Sequence, residues 1–366
     1  MMIDAKTFPD IDPQDFTVRP IEQAETIPSR WYTDQRFLEL EKKAIFEDSW
    51  QYVGHTSKLG AAGSQIVGTV ADNPVLVVRG NDSRLRAFYN VCRHRGGPLA
   101  LEDCTSKVLQ CKYHGWTYLL DGSLRGTPKF DRTELFDKKD YGLVPVEVET
   151  WQDLVFVHLS EHRHPLEKTL DGIARRISPM KIGGKKFHSR VVYDVRCNWK
   201  VYVDNYLEGY HLPYVHPELT TMLDYQNYVT ETFGQYSLQF SRIAKSGGVY
   251  DSGSAFYYFV FPNFMLNILP GRLQTNLVHP VSSDRCRVIF DYLYDDTESA
   301  AGRKRIEDDL SYSDRVQQED IEICERVQQG LSSRAYDKGR FSPEMEAGVY
   351  HFQSLLKNVF KKALRI

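Results

Sequence analysis

Hydrophobic positions fall into two textures along the chain. From Ser64 to Leu120 they form short β-type runs, SQIVGTV, PVLVVR, LRAFYN, KVLQC and GWTYLL. Turn clusters at Asp72-Asn73-Pro74, Gly80-Asn81-Asp82 and Asp121-Gly122 separate these runs, so the pattern predicts a small all-β module. VPVEVETWQDLVFVHL closes it with two further strands ending near Leu159. Ahead of the module, Pro9, Pro13, Pro20 and Pro28 punctuate an irregular arm over residues 1–33. Asp34 caps a helix expected to run to about Trp50, with Phe37, Leu38, Ile45 and Phe46 as its buried stripe. Beyond the charged EHRHPLEK the texture changes. Arg190–Arg196 reads as strand, Asn198 to about Leu212 as helix, and Pro213 and Pro217 interrupt the next stretch of chain. Long aromatic-rich strands are expected from about Asp224 to Tyr294, then helices over about Ser299–Leu331 and Pro343–Lys362. The fold class is α+β, with expected divisions of 1–48 (arm and helix), 49–160 (β module) and 161–366 (larger body).

Composition narrows the class of function. Among 366 residues, 46 basic and 49 acidic side chains leave a net charge of −3, without the basic excess of a nucleic-acid binder. No apolar run approaches the ~18 residues of a membrane span. The most apolar stretch, Ala255–Leu266, contains Pro262 and Asn263 and reads as sheet core. The six cysteines are too scattered for a disulfide scaffold, and MMIDAKTFPDIDP is acidic and proline-bearing, unlike a targeting segment. A reducing cytoplasm is therefore expected. No G-x-G-x-x-G follows a predicted strand, so a nucleotide-binding domain is not expected.

Two constellations carry chemistry. In the β module, Cys92 and His94 (C-x-H) precede Cys111 and His114 (C-x2-H), each pair at a strand end with glycine directly after it: Gly96, Gly97 and Gly115. A structural zinc would use these four as a tetrahedron. A Rieske [2Fe–2S] cluster would place the cysteines on one iron and the histidines on the other, and the alternating order suits two loops that each give one ligand to each iron. In the body, DNYLEGYHLPYVHPE places Glu208 three residues before His211, on one helical face, with His216 beyond a helix break at Pro213. Four tyrosines, Tyr202, Tyr206, Tyr210 and Tyr214, frame them. Two histidines and one carboxylate suit a non-haem Fe(II) site with open positions for O2. The helix carrying VQQEDIEICERVQQGL supplies the third ligand. At 100° per residue Asp320 lies within about 40° of Val316, Cys324, Val327 and Leu331, whereas Glu319, Glu322 and Glu325 point further away.

Together these residues resemble the catalytic α subunits of Rieske non-haem iron oxygenases, the ring-hydroxylating dioxygenase superfamily, over roughly residues 30–360. The resemblance rests on C-R-H-R-G-G-x-L at 92–99, C-K-Y-H-G-W at 111–116, E-x2-H-x4-H at 208–216 and E-D-x-x-x-C-E-x-V-Q-x-G-L at 319–331. It implies an all-β Rieske domain inserted in a helix-grip-type catalytic domain, with an antiparallel sheet and flanking helices. By the same resemblance Cys92, His94, Cys111 and His114 ligate the cluster, and His211, His216 and Asp320 hold the iron. It further implies a homotrimer in which electrons cross between subunits through an acidic bridge. Glu208 stands there, where many aromatic dioxygenases have Asp. A separate flavin- and iron–sulfur-containing reductase using NAD(P)H is implied, with neither nucleic acid nor membrane as partner.

FPNFMLNILPGRLQTNLVHPV and AYDKGRFSPEMEAGVYHFQ look most like the choline and carnitine monooxygenase branch. That likeness implies O2-dependent oxidation of a quaternary ammonium compound such as choline, betaine or carnitine. Tyr206 is a candidate for an aromatic cage around the methylated cation, while the strand AFYYFVF reads first as packed sheet core. Two alternatives stay open: an aromatic substrate for the same enzyme class, and a zinc-bearing, non-enzymatic binding module.

Overall fold

Runs rich in Val, Ile and aromatic side chains pair into antiparallel ladders in both parts of the chain. A computed structural model describes residues 11–160, 164–243 and 253–366. Positions 1–10 of the expected arm, 161–163 of the charged connector and 244–252 of the expected strand region lie outside the described residues. The chain divides into two compact units, one of Phe46–Gly184 and one of Met1–Ile45 with Lys185–Ile366.

The first unit contains strands β1 (Gln51–His55), β2 (Ser64–Val70), β3 (Asn73–Arg79), β4 (Leu85–Tyr89), β5 (Cys104–Thr105), β6 (Leu109–Gln110), β7 (Thr117–Tyr118), β8 (Leu124–Gly126), β9 (Pro145–Trp151) and β10 (Leu154–His158). One sheet runs β1-β10-β9-β4-β3-β2-β5 and a smaller one β6-β7-β8. In β3, Val75 to Val78 are buried on both faces, which explains a continuous apolar run where alternation would mark a half-exposed strand. The runs KVLQC and GWTYLL shrink to two-residue strands because the backbone between them closes on itself, Cys111 N–H donating to the Trp116 carbonyl at 2.8 Å. Leu76, Phe88, Trp116, Tyr118 and Leu120 pack around Cys92 and Cys111 in one core. The segment 164–184, grouped by sequence with the larger body, falls in this unit. Its helix buries Leu166, Leu170, Ile173 and Ile177 at helical spacing and packs on β9.

In the second unit Asp34 caps a helix as expected, its carboxylate accepting from Arg36 N–H at 2.9 Å. The helix is shorter than predicted: after the turn α1 (Arg30–Thr33), α2 (Gln35–Glu41) widens into a π turn over Lys42–Phe46 and stops. With the connector helix counted as α3 (Leu166–Ile177), the body carries α4 (Trp199–Tyr206), α5 (Leu212–Val215), α6 (Pro217–Met222), α7 (Ala300–Leu331) and α8 (Ala347–Leu364). Its strands are β11 (Lys186–Val195), β12 (Val229–Thr232), β13 (Tyr236–Arg242), β14 (Ser254–Val260), β15 (Phe264–Leu269), β16 (Arg272–Ser282) and β17 (Arg285–Tyr294), in the order β11-β17-β16-β15-β14-β13-β12. Helix α4 packs against β16, β17 and α7. Asn198 caps it, accepting from Lys200 N–H at 3.0 Å. Lys200 and Trp199 anchor it further by both donating at 2.6 Å to the fully buried Glu41 of α2. A rigid α4 matters because the candidate metal ligands begin where it ends.

Candidate metal centres

Two loops of the β unit share one hydrogen-bond plan. Cys92 N–H donates to the Gly97 carbonyl and Gly96 N–H to the Cys92 carbonyl, at 2.8 and 3.0 Å. Cys111 N–H donates to the Trp116 carbonyl and Gly115 N–H to the Cys111 carbonyl, at 2.8 and 3.1 Å. The fifth residue of each loop must turn left-handed, and glycine supplies it: φ is +71° at Gly96 and +73° at Gly115. A Cβ on Gly97 would lie 2.9 Å from Cys111 Sγ, so glycine there also lets one loop approach the other's thiol.

The donors emerge as pairs. Both thiols are buried and adjacent, and the His94 and His114 rings meet at 4.8 Å. His94 stacks on Trp116 at 4.8 Å and 11°, which fixes its ring. Cys92 Sγ lies 3.2 Å from the Tyr118 hydroxyl. A thiol pair beside an imidazole pair is the ligand division of a dinuclear cluster. One zinc would instead gather all donors within about 4 Å of each other. Among the described residues these four do not form so tight a group. His94 Nδ1 is buried without a hydrogen-bond partner among the described residues, as expected of an atom reserved for a metal. The residues fit a [2Fe–2S] group.

The second centre lies in the body. His211, His216 and Asp320 bring one ligand atom each within 4.8 Å of one another, the one such trio among the described residues. Its construction departs from the expected helix. α4 ends at Tyr206, and Glu208 instead caps the next turn: Oε2 accepts from His211 N–H at 3.0 Å and Oε1 from the Nδ1–H at 2.7 Å. The pair meets through a cap and not through a shared helical face. Pro213 is also not the breaker. It sits in the first turn of α5, where a missing N–H does no harm. The break falls at His216, which Pro217 pushes out of helical backbone to φ −123°, ψ 66°. The two histidines thus flank α5 and their rings converge at 5.1 Å.

Asp320 projects from α7 between them, Oδ1 at 2.9 Å from His216 Nε2 and 3.8 Å from His211 Nε2. Asn205 Nδ2 donates to the same oxygen at 2.6 Å. Glu319, read from the helical wheel as pointing away, reaches back to His216, whose Nδ1–H donates to Oε2 at 2.6 Å. Both rings therefore offer Nε2 inward and hold Nδ1 against a carboxylate, the arrangement that orients metal-ligating histidines. Burial works against a charged His216 ring, yet the Asp320 and Glu319 carboxylates outweigh it and hold its pKa above the ordinary value. A site that attracts a proton this way also attracts a divalent cation. The donor set fits mononuclear iron.

A cavity of about 120 Å³ opens beside this trio, with Tyr206, Tyr228 and Tyr257 among its walls and Leu212, Leu219 and Val316 completing an apolar lining. Tyr206 donates to Asn267 Oδ1 at 2.7 Å and Tyr228 to Gln239 Oε1 at 3.0 Å. Tyr202 also lines the cavity, whereas Tyr210 and Tyr214 are exposed. AFYYFVF is mostly sheet core, as expected, but its Tyr257 turns to the cavity. Sequence reasoning missed Tyr228, Tyr257, Asn205 and Glu319. Of these, only Asn205 and Glu319, each one residue from a named position, carried a local signal.

Comparison with known proteins agrees with this geometry. Residues 49–146 match the family model "Rieske [2Fe-2S] domain" and residues 185–361 "Ring hydroxylating alpha subunit (catalytic domain)". The chain belongs to the Rieske-type ring-hydroxylating oxygenase family, as an oxygenase component with a [2Fe–2S] domain and a non-haem iron catalytic domain. Within that family it is similar to chloroplastic choline monooxygenase of Arabidopsis thaliana, 35% identical over 93% of this chain and 84% of the relative. The carnitine monooxygenase oxygenase subunit of Escherichia coli (strain K12) is 32% identical over 95% of this chain and 97% of its own. The crystal structure of the quaternary ammonium Rieske monooxygenase CntA with an inhibitor superposes with a TM-score of 0.88 at 30% identity, covering 98% of this chain and 99% of that one. Naphthalene 1,2-dioxygenase shares the fold at 20% identity and a TM-score of 0.77, covering 95% of this chain and 97% of that one.

Proposed function

We propose that this chain is the terminal oxygenase of a multicomponent system that oxidises a quaternary ammonium compound of the choline, betaine or carnitine class. The observation that carries the reading is the cavity: a two-histidine, one-carboxylate trio at one wall, and tyrosine rings whose hydroxyls at Tyr206 and Tyr228 are already engaged. A methylated ammonium neither donates nor accepts hydrogen bonds, so a wall of rings near the carboxylates Asp320 and Glu208 is the surface that holds it. The relatives named for choline and carnitine, and CntA structures bound to L-carnitine and γ-butyrobetaine, support the same substrate class.

In this reading Cys92, His94, Cys111 and His114 hold the cluster, and His211, His216 and Asp320 hold the iron. When bound, the cluster supplies electrons and the iron activates O2 for attack on a C–H bond. This chain's residues do the rest. Glu208 and Glu319 keep the Nδ1 protons in place so that both Nε2 atoms face the metal. Asn205 fixes Asp320 Oδ1. Leu212, Leu219 and Val316 keep water from the cavity, and Tyr206 orients the cation. Glu208 takes the position of the acidic link between subunits, which supports a homotrimer; inter-subunit electron transfer is described for CntA. Electrons would come from NAD(P)H through a separate flavin/iron–sulfur reductase. The free thiols support a reducing, cytoplasmic location, and among the described residues no helix is long and apolar enough to cross a membrane.

Holoenzyme supplied with a surrogate reductase, NADH and a substrate panel tests this. Oxygen uptake with release of an aldehyde is expected for at least one quaternary ammonium compound. Turnover confined to aromatic acids would overturn the substrate class.

A further inference from the structure

Three cysteines that neither metal centre uses meet inside the second unit. Cys197 stands just ahead of α4, Cys286 at the start of β17, and Cys324 on α7, one turn beyond Asp320. All three are free thiols and at most 1% exposed. Cys197 Sγ lies 3.9 Å from Cys286 Sγ, and it also takes a hydrogen bond from the Cys324 thiol. Cysteine in a core is ordinarily a small apolar side chain.

Two features set this group apart from ordinary core packing. The first is the order of contact. Cys197 sits in the middle and accepts from Cys286 and Cys324, which together hold its pKa down at about 5, and an ionised sulfur is the form that attacks. The second is access. Of the three, only Cys324 lines a cavity of about 280 Å³ that also reaches Asn205, Glu208 and His211. Those three residues line the cavity at the metal trio as well, so the two spaces meet there. A molecule little larger than water can pass from the place where O2 is reduced to the Cys324 thiol.

We propose that Cys324 and Cys197 form an oxidation site for hydrogen peroxide, Cys324 taking the first oxygen and Cys197 closing a disulfide with it. The Cys324 sulfur attacks the peroxide O–O bond; an S–O bond forms, and the thiol proton leaves with the second oxygen as water. The Cys197 sulfur then attacks the sulfenic sulfur. An S–S bond forms, the S–O bond breaks, and the departing hydroxide takes up the proton that Cys197 gave up on ionising, making a second water. Two thiols are oxidised and one peroxide is reduced. A dithiol reductant returns two electrons and two protons and restores both cysteines. An S–S bond of ~2.0 Å where the sulfurs now only touch draws α7 toward the start of α4. Asp320 moves with its own helix, so the bond loosens the iron site and halts oxygen activation until the thiols are restored.

Peptide mapping tests this directly. Holoenzyme is treated with a few equivalents of hydrogen peroxide, then with catalase and iodoacetamide, and digested with trypsin without reduction. Residues 197–200 and 316–326 are separate tryptic peptides. Mass spectrometry should find them joined after treatment and separate again after dithiothreitol. Iron affinity, read by competition against a chelator, should fall about tenfold or more in the joined form and recover on reduction. Cys324→Ala should give no joined peptide and keep its own oxygen uptake and iron affinity after the same treatment. Three results would overturn the assignment: Cys197 joined to Cys286, both thiols still alkylated or Cys324 carried to sulfinic acid without a bond, or equal iron loss in Cys324→Ala. The joined peptide is read in the wild-type chain, so a variant that does not fold leaves the test intact.

Discussion

At the scale of residues, the two centres differ in how they hold their ligands. The histidines of the proposed iron site each lean on a carboxylate, Glu208 for His211 and Glu319 for His216. Glu319→Ala should lower iron affinity by about 10–100-fold, the usual effect of losing such a partner. Competition against a chelator would read it, with cluster absorbance unchanged. At the cluster site Tyr118 donates toward Cys92 Sγ. A hydrogen bond to a thiolate favours the more negative, reduced cluster. Tyr118→Phe should therefore lower the reduction potential by roughly 1 kcal/mol, on the order of 40 mV for one electron, measurable by redox titration. The pairing of these loops was legible because motif spacing puts Cys92, His94, Cys111 and His114, the proposed cluster ligands, at loop ends. Glu319 was not, because a helical wheel ranks direction and ignores the reach of a long side chain toward a histidine on another element.

At the scale of elements, α4 is the support on which the iron site hangs. It carries Asp204, which accepts from the Tyr32 hydroxyl at 2.5 Å and from Gln353 Nε2 at 3.2 Å. Burial pushes its carboxyl up to about 7 from an ordinary 3.8. Between those values the folded chain keeps a proton that the unfolded chain has released. Stability should thus fall as pH rises from about 4 to about 7, by a few kcal/mol at most, and level off above. Asp204→Asn should flatten that slope in thermal melts across the same range. The elements themselves were largely readable. Ser299 caps α7 and Asn198 caps α4 where the side-chain chemistry places them. The turn after α4 was misread as more helix, because an isolated Glu208-to-His211 spacing fits a cap as well as a helical face. Tyr228 and Tyr257 stayed hidden for a different reason: the cavity wall is assembled from segments distant in sequence.

At the scale of the whole molecule, the change of hydrophobic texture near residue 160 foretold two units with different tasks. The boundary drawn from texture and the one drawn from packing differ by the connector helix, whose apolar stripe commits it to β9. Each unit carries one metal-binding constellation of its own, so the two should be separable by mutation. Metal and acid-labile sulfide analysis of wild type beside Asp320→Ala tests that most directly. Wild type should contain iron beyond what its sulfide accounts for, and Asp320→Ala should lose that excess and all oxygen uptake while keeping the cluster spectrum. Zinc without sulfide in wild type, or full iron and full activity in Asp320→Ala, would contradict the account.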